Sequence, residues 1–379
     1  MDKESKAMIK VTLNNDILRY ITNIERNRYR VSSVKLTQSV ASRLRKNSKK
    51  KSSHASTRIE GNPLSQEQVD EVIERDDRKH FLKPEQEVRN YFLALNYLED
   101  MALKKAPFSK KLILDVQKFV EKGASKEKIG IRGPMPPGVL FAVYDSQTGK
   151  PDYIPPEYTD IDPLLDELVS YVNSTDDHPL IVAAVVHYQL VTIHPFEDGN
   201  GRTARLLSGY ILDLNGFGFN GIGSLEEYFA YDTDEYFSSL QMGLPVIYYN
   251  GRNDPPHPEI WINYFLRMVQ LNSDKVYELS VSANDEEVII SLTYLKDREK
   301  DLLLYLMDHY PHDFTPIEVS KKIGVTNKTV INRLAVLAKN GFVEPILVKE
   351  RVRSYRLCDF TVSRGKSIKK RIKHPQKNN

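Results

Sequence analysis

His194-Pro195-Phe196-Glu197-Asp198-Gly199-Asn200-Gly201-Arg202-Thr203-Ala204-Arg205 joins two apolar stretches, and its reading decides the fold. Before it, residues 180–193 are apolar almost all round, the pattern of a helix at the centre of a domain. Pro179 suits the first turn of that helix. After it, residues 203–214 are periodic and end at Asn215-Gly216, a helix stop. The stretch is therefore predicted to be a tight loop between two helices of a mainly α chain. Its residue types suit phosphate chemistry. Gly199 and Gly201 let backbone N–H groups approach a ligand at a helix N-terminus, whose partial positive charge attracts anions. Asn200 adds a side-chain amide, and Arg202 and Arg205, three apart, share a helical face as a fork for phosphate oxygens. Asp198 is a hard oxygen ligand suited to Mg²⁺. His194 has an ordinary pKa near neutrality, suited to taking a proton from an attacking hydroxyl. A plain turn would need neither the histidine nor the arginine pair.

Position for position, this run resembles the signature of Fic domains, and weaker matches extend the resemblance over roughly residues 40–270. The resemblance implies a Fic helical bundle with a β-hairpin flap. It also implies transfer of AMP from ATP, with Mg²⁺, to a Tyr, Thr or Ser hydroxyl of a target protein. On it, His194 is the general base and Asp198 the metal ligand. Gly199, Asn200, Gly201, Arg202 and Arg205 form the nucleotide cradle.

Two other stretches take on meaning beside that motif. In Ser56-Thr57-Arg58-Ile59-Glu60-Gly61-Asn62-Pro63, Ser56 and Glu60 are one helical turn apart and Gly61 to Pro63 stop the helix. Read locally, this is a capped helix end. The resemblance adds that residues 53–62 match the family's inhibitory helix, with Glu60 pairing with Arg205 and competing with the ATP γ-phosphate. Residues 139–144 and 152–154 flank a turn and read as a hairpin. In Fic proteins such a flap holds the target segment by strand addition, so hairpin 139–154 is the implied target site. Tyr236-Phe237 keeps the first member of a Tyr-Tyr pair found in relatives, which implies that Tyr236 lies near the nucleotide base.

Composition narrows the class. The chain has 379 residues, net charge +3 and one cysteine, Cys358. That length allows two or three domains, and the near-balanced charge gives no global polyanion-binding role. One cysteine excludes an internal disulfide framework, the start lacks an apolar signal, and residues 180–193 are too short to span a bilayer. A soluble, cytoplasmic protein with no membrane partner is expected.

In chain order, a β-like start (8–13) precedes helices at 15–26 and 36–46, and the basic run 43–51 reads as a solvated connector. Helices are expected at 65–74, 85–101, 109–120 and 161–172, those at 85–101 and 109–120 as scaffold without chemistry. His187 reads as a satisfied core residue. A helix at 258–270 is followed by a polar connector, 272–285, and a further helix, 286–298. Residues 299–360 fit a winged helix, with Lys328, Asn332 and Arg333 on the outer face of its third helix and a wing at 343–357. The expected divisions are 1–110, 111–271, 272–298, 299–360 and a basic flexible tail, 361–379.

Three functional readings follow. The leading one is a protein adenylyltransferase inhibited by Glu60. The second is a hydrolase in which Glu60 orients water to remove AMP, and the third a DNA-binding regulator acting through the winged helix, which also serves elsewhere for protein docking. Self-modification, a homodimer, the target and the nucleotide preference stay open at this level.

Overall fold

The computed structural model describes residues 9–74, 80–124, 129–144, 149, 151–244, 254–293, 295–310, 312–348, 351–358, 361–363 and 369–371. It falls into two units, Met1–Glu278 and Leu279–Asn379, each taken by itself below.

The first unit opens with α1 (Asn15–Ser33), α2 (Gln38–Ile59), α3 (Gln66–Glu74), α4 (Lys83–Leu103) and α5 (Lys110–Glu121). A short hairpin, β1 (Val143–Tyr144) and β2 (Pro151–Tyr153), leads to α6 (Tyr158–Ser174), α7 (Pro179–Ile193) and α8 (Asn200–Leu214). The small helices α9 (Leu225–Phe229) and α10 (Thr233–Leu240) precede α11 (Pro258–Thr293), which runs across the boundary of the units. Thirteen of the fifteen residues of α7 are buried, so this helix has no solvent face and the others wrap it. Residues 1–110 and 111–271, expected as separate regions, share one core: Ile17, Ile24 and Tyr91 lie in the same cluster as Leu180 and Trp261.

Several expectations are corrected. Among the described residues, 9–13 form no strand, although Ile9 is buried and Val11 packs on the core. The basic run is no solvated connector but the middle of α2. Lys49 donates to Asn96 and Glu99 of α4, and the buried Lys50 pairs with Glu74 of α3. Carboxylates on neighbouring helices thus turn a charge run inward. The polar segment 272–285 is part of α11, because nothing from Glu259 to Thr293 is Gly or Pro. Its buried face mixes Val276 and Ala283 with polar residues, and Asn27 of α1 donates to Ser273 and Asp274. The flap strands are shorter than expected, Val143 pairing with Tyr153 and Tyr144 with Pro151, and most of the turn between them lies outside the described residues.

The second unit contains α12 (Asp297–His309), α13 (Pro316–Ile323) and α14 (Asn327–Lys339), followed by the antiparallel hairpin β3 (Val343–Val348) and β4 (Arg351–Leu357). Thr315 and Glu318 form a capping box that starts α13, and Gly324 at φ 69° ends it. Leu303, Leu306, Phe314, Val330 and Leu334 build its core. These bounds follow the sequence pattern closely. The tail does not: β5 (Thr361–Ser363) pairs with β6 (Lys369–Arg371), helped by the β-branched Thr361 and Val362. The rest of the basic tail lies outside the described residues. Among the described residues, no helix is long and apolar enough to cross a membrane.

Candidate active site

The chain leaves α7 through His194, whose backbone is left-handed at φ 49°, ψ 58°. A non-glycine residue seldom adopts this conformation, and here it swings the chain off the helix axis. Buried Arg132 holds it there. Its Nε donates to the His194 carbonyl at 2.9 Å, another nitrogen donates to the Pro156 carbonyl, and its own N–H donates to the Pro195 carbonyl. The same guanidinium lies 4.6 Å from the ring of Phe141, which is 6.1 Å from the His194 ring. The segment leading into the flap is therefore joined to the histidine.

The His194 ring has one orientation and one proton. Nδ1 is 3.3 Å from the Val191 carbonyl, which can only accept, so Nδ1 carries the hydrogen and Nε2 has the free lone pair. Burial pushes the pKa down to about 4, against the upward pull of the Val191 bond. At neutral pH this is an uncharged base.

From Phe196 to Asn200 the loop is closed by its own side chains. Asn200 Oδ1 accepts from the Phe196 N–H at 3.0 Å and Nδ2 donates to the Phe196 carbonyl at 2.9 Å. Both ends of the amide thus clasp the loop, and the second Nδ2 hydrogen is the one donor left for a phosphate. The first bond within α8 runs from the Thr203 N–H to the Gly199 carbonyl. The N–H groups of Asn200, Gly201 and Arg202 precede it and face the positive end of the helix.

Each arginine of the motif is buried and meets carboxylates. Arg205 Nε donates to Ser56 Oγ at 2.8 Å, and Nη2 donates to the Ser56 carbonyl at 3.0 Å and to Glu60 Oε1 at 2.6 Å. Burial raises the Glu60 pKa, but the charges of Arg205 and Arg202 outweigh it and hold the group below its ordinary value. The Arg205 side chain is 1% exposed and that of Glu60 36%, so the carboxylate stands at the mouth of the site. Arg202 Nη2 is 3.0 Å from both Asp198 Oδ1 and Glu121 Oε1, while its buried Nε and Nη1 have no hydrogen-bond partner. Orphaned guanidinium donors in a buried site fit an absent anion.

The two glycines are fixed by these carboxylates. A Cβ on Gly199 would lie 2.5 Å from Glu121 Oε1, and one on Gly201 the same distance from Glu60 Oε1. Asp198 accepts from the Gly199 N–H and from Arg202, and its side chain is partly exposed. No group of three or more metal-ligating side chains occurs among the described residues. A single accessible carboxylate fits Mg²⁺ that takes its other ligands from phosphates and water.

Tyr236 is 1% exposed: its hydroxyl bonds His187 Nε2 at 2.8 Å and also interacts with Arg205, and its ring packs against Phe229 and Trp261. It thus stands in the core directly behind the arginine of the cradle. His187 is the satisfied core histidine expected, with Ser208 at its other nitrogen. Three site residues were missed. Glu121 and Gln117 come from α5, and Gln117 lies against the Asp198 carbonyl and accepts from the Gly130 N–H. Both stand on the buried face with Ile113 and Val120, so two polar residues on an apolar stripe were the available signal. Arg132, between two loop glycines, carried no such signal.

Residues 107–212 match the family model described as Fic/DOC family. A protein adenylyltransferase Fic of Aedes aegypti is 30% identical over 201 residues, 51% of this chain and 38% of that relative. One of Nematostella vectensis is 46% identical over 69 residues, 17% of this chain and 16% of that relative. The chain thus spans well under half the length of these relatives. Among solved structures, a Fic family protein from Desulfovibrio desulfuricans has a TM-score of 0.57 at 21% identity, covering 92% of this chain and 98% of that one. The likeness is one of fold.

Proposed function

From a chain that carries a Fic domain at residues 107–212, we propose a protein adenylyltransferase that moves AMP from ATP to a Tyr, Thr or Ser hydroxyl. The observation that carries the reading is the pairing of a neutral His194 with an anion cradle whose Arg202 has unpartnered donors. A target hydroxyl gives its proton to His194 Nε2 and its oxygen attacks the α-phosphorus. The bond from that phosphorus to the bridging oxygen breaks, and pyrophosphate leaves with the electron pair. Arg202, Arg205 and the N–H groups at the start of α8 hold the phosphates, which is positioning and electrostatic stabilisation in a water-poor site. Asp198 would hold Mg²⁺, which when bound neutralises phosphate charge. The exposed Val139, Leu140 and Tyr144 beside the flap offer the target a surface.

Glu60 is the inhibitor in this reading. Its carboxylate lies over Gly201 at the positive end of α8 and on Arg205, where a terminal phosphate would have the same partners. The deciding experiment is incubation of Glu60→Gly protein with Mg²⁺ and ATP labelled at either the α or the γ position. AMP on a hydroxyl, from α-label only, is the expected result; label arriving only from the γ position overturns it. Release of AMP from a modified protein by the unmutated chain would assign removal to Glu60 instead.

A second activity is proposed for the C-terminal unit. As a winged helix it would bind duplex nucleic acid, because the exposed charges of α13, α14 and β4 are mostly basic. Lys321, Lys322, Lys328, Lys339, Arg351 and Arg353 are exposed there, beside the acid Glu318, whereas α12 carries both signs. Duplex affinity that falls steeply with salt supports it, with a logarithmic slope of about −0.9 per phosphate contact; absence of binding at low salt overturns it.

A further inference from the structure

We infer that Glu121 is a positioning residue of the phosphate cradle, holding Arg202 so that its two remaining donor nitrogens are presented to the nucleotide. This inference rests on the nucleotide-binding reading above.

Glu121 occupies a costly place. It is the last residue of α5, where the helix dipole disfavours negative charge, and it is buried. The carbonyls of Val120 and of Lys122, just past the helix, accept from Asn90, and a carboxylate, itself an acceptor, has no carbonyl to serve at this helix end. Burial pushes its pKa up to about 7 against the pull of Arg202, so the carboxyl is held there at a cost, and replacing such a pair by apolar packing is often neutral or stabilising. Scaffold demands therefore do not account for it. Its Oε1 lies 3.0 Å from Arg202 Nη2, an ion pair without hydrogen-bond geometry, and a side chain at Gly199 would collide with the same oxygen.

Asp198 cannot do the same work alone. It touches the same Arg202 nitrogen, but its side chain is 39% exposed and in the proposed reading it would hold the metal. Glu121 lies on the far side of Gly199 on a different helix, so its hold on Arg202 does not depend on Asp198. Both carboxylates use Nη2, which leaves Nε and Nη1 for phosphate oxygens. Because AMP has only the one phosphate that is transferred, Arg202 placed for the outer phosphates matters for ATP and ADP and little for AMP.

The test is made in the Glu60→Gly full chain, by calorimetric binding of Mg²⁺-ATP, ADP and AMP together with steady-state AMP transfer. Glu121→Met and Glu121→Ala remove the acceptor, one keeping length and one opening space; Glu121→Gln keeps it. The expected result is ATP and ADP binding weakened about tenfold in Met and Ala, the scale of one lost ion-pair contact in a buried site. KM for ATP rises in parallel, kcat changes less, AMP binding is retained, and Gln restores most of the loss. Unchanged ATP affinity in a normally melting Met or Ala variant overturns the inference. So does an equal loss for AMP, which would mean general damage to the loop. If the Glu60→Gly parent binds no ATP, the nucleotide reading falls and this inference with it; if the parent binds and the variants match it, only the role of Glu121 falls.

Discussion

The carboxylate of Glu60 closes directly over Gly201: a β-carbon at that glycine would lie 2.5 Å from Glu60 Oε1. The first turn of α8 is thus shaped around an anion contributed by a distant part of the chain.

Relief of that contact should raise activity in one direction only. Glu60→Gly is expected to increase AMP transfer, whereas Arg205→Ala, which breaks the same pair, should not, because it also removes a phosphate partner. Glu60→Gly leaves the buried Arg205 bonded to Ser56 but without its carboxylate, so stability should fall by about 1–3 kcal/mol, less than if all its partners were removed. Initial rates across ATP concentrations, with thermal melting alongside, check both; equal effects of the two substitutions would reduce the pair to a structural salt bridge.

The pH profile should carry the mark of His194. A base must be unprotonated to act, and a pKa near 4 leaves it so throughout the neutral range. Transfer by Glu60→Gly protein should therefore show no acid limb near the ordinary histidine value of 6.5, and should fall only as pH approaches about 4. His194→Ala should lose about 10²–10⁴ in kcat. Stability follows the same sign: the unfolded imidazole takes a proton below 6.5 that the native one refuses, so stability declines as pH falls toward 4. Denaturant midpoints at pH 7 and pH 5 should separate more in the parent than in His194→Ala.

Asn200→Ala should damage the loop rather than ligand contacts alone. It strips both partners from buried Phe196 backbone groups, at about 1–3 kcal/mol. A drop in melting temperature together with lost transfer is expected; lost transfer with unchanged melting would return the amide to direct phosphate binding.

Truncation should respect α11 rather than the polar stretch within it. A fragment ending at Thr293 keeps the helix whole and should unfold cooperatively and retain AMP transfer. One ending at Leu271 loses buried Val276 and the Ser273 and Asp274 bonds to Asn27, and should be less stable by roughly 2–5 kcal/mol. Urea midpoints of the two fragments settle the point.

The catalytic loop was legible because its chemistry is contiguous: helix, glycine-bearing turn and helix all fall within residues 179–214. The pairing of Ser56 and Glu60 with Arg205 came only through resemblance, since local spacing cannot say which helix a carboxylate will meet. What sequence reading lost depends on distant partners. Lys49 and Lys50 look solvated until Glu99 and Glu74 are brought beside them. Residues 272–285 look like a linker until Asn27 supplies hydrogen bonds for their polar face. Glu121 appears as an ordinary helix-end acid until Gly199 and Arg202 are folded against it.

The anchoring of α2 has an energetic consequence. Lys49, Lys50 and Ser52 tie this helix to α4, α3 and α9, so withdrawing it as a body would break several buried bonds at once. Glu60 is the residue just past its last turn, about a third in solvent and held by one ion pair. Once that ion pair breaks, a rotation about the side-chain bonds of Glu60 would free Arg205 without moving the helix. In the proposed reading the brake is then a stiff arm with a loose fingertip, and release of the site would cost one side-chain contact rather than the withdrawal of α2.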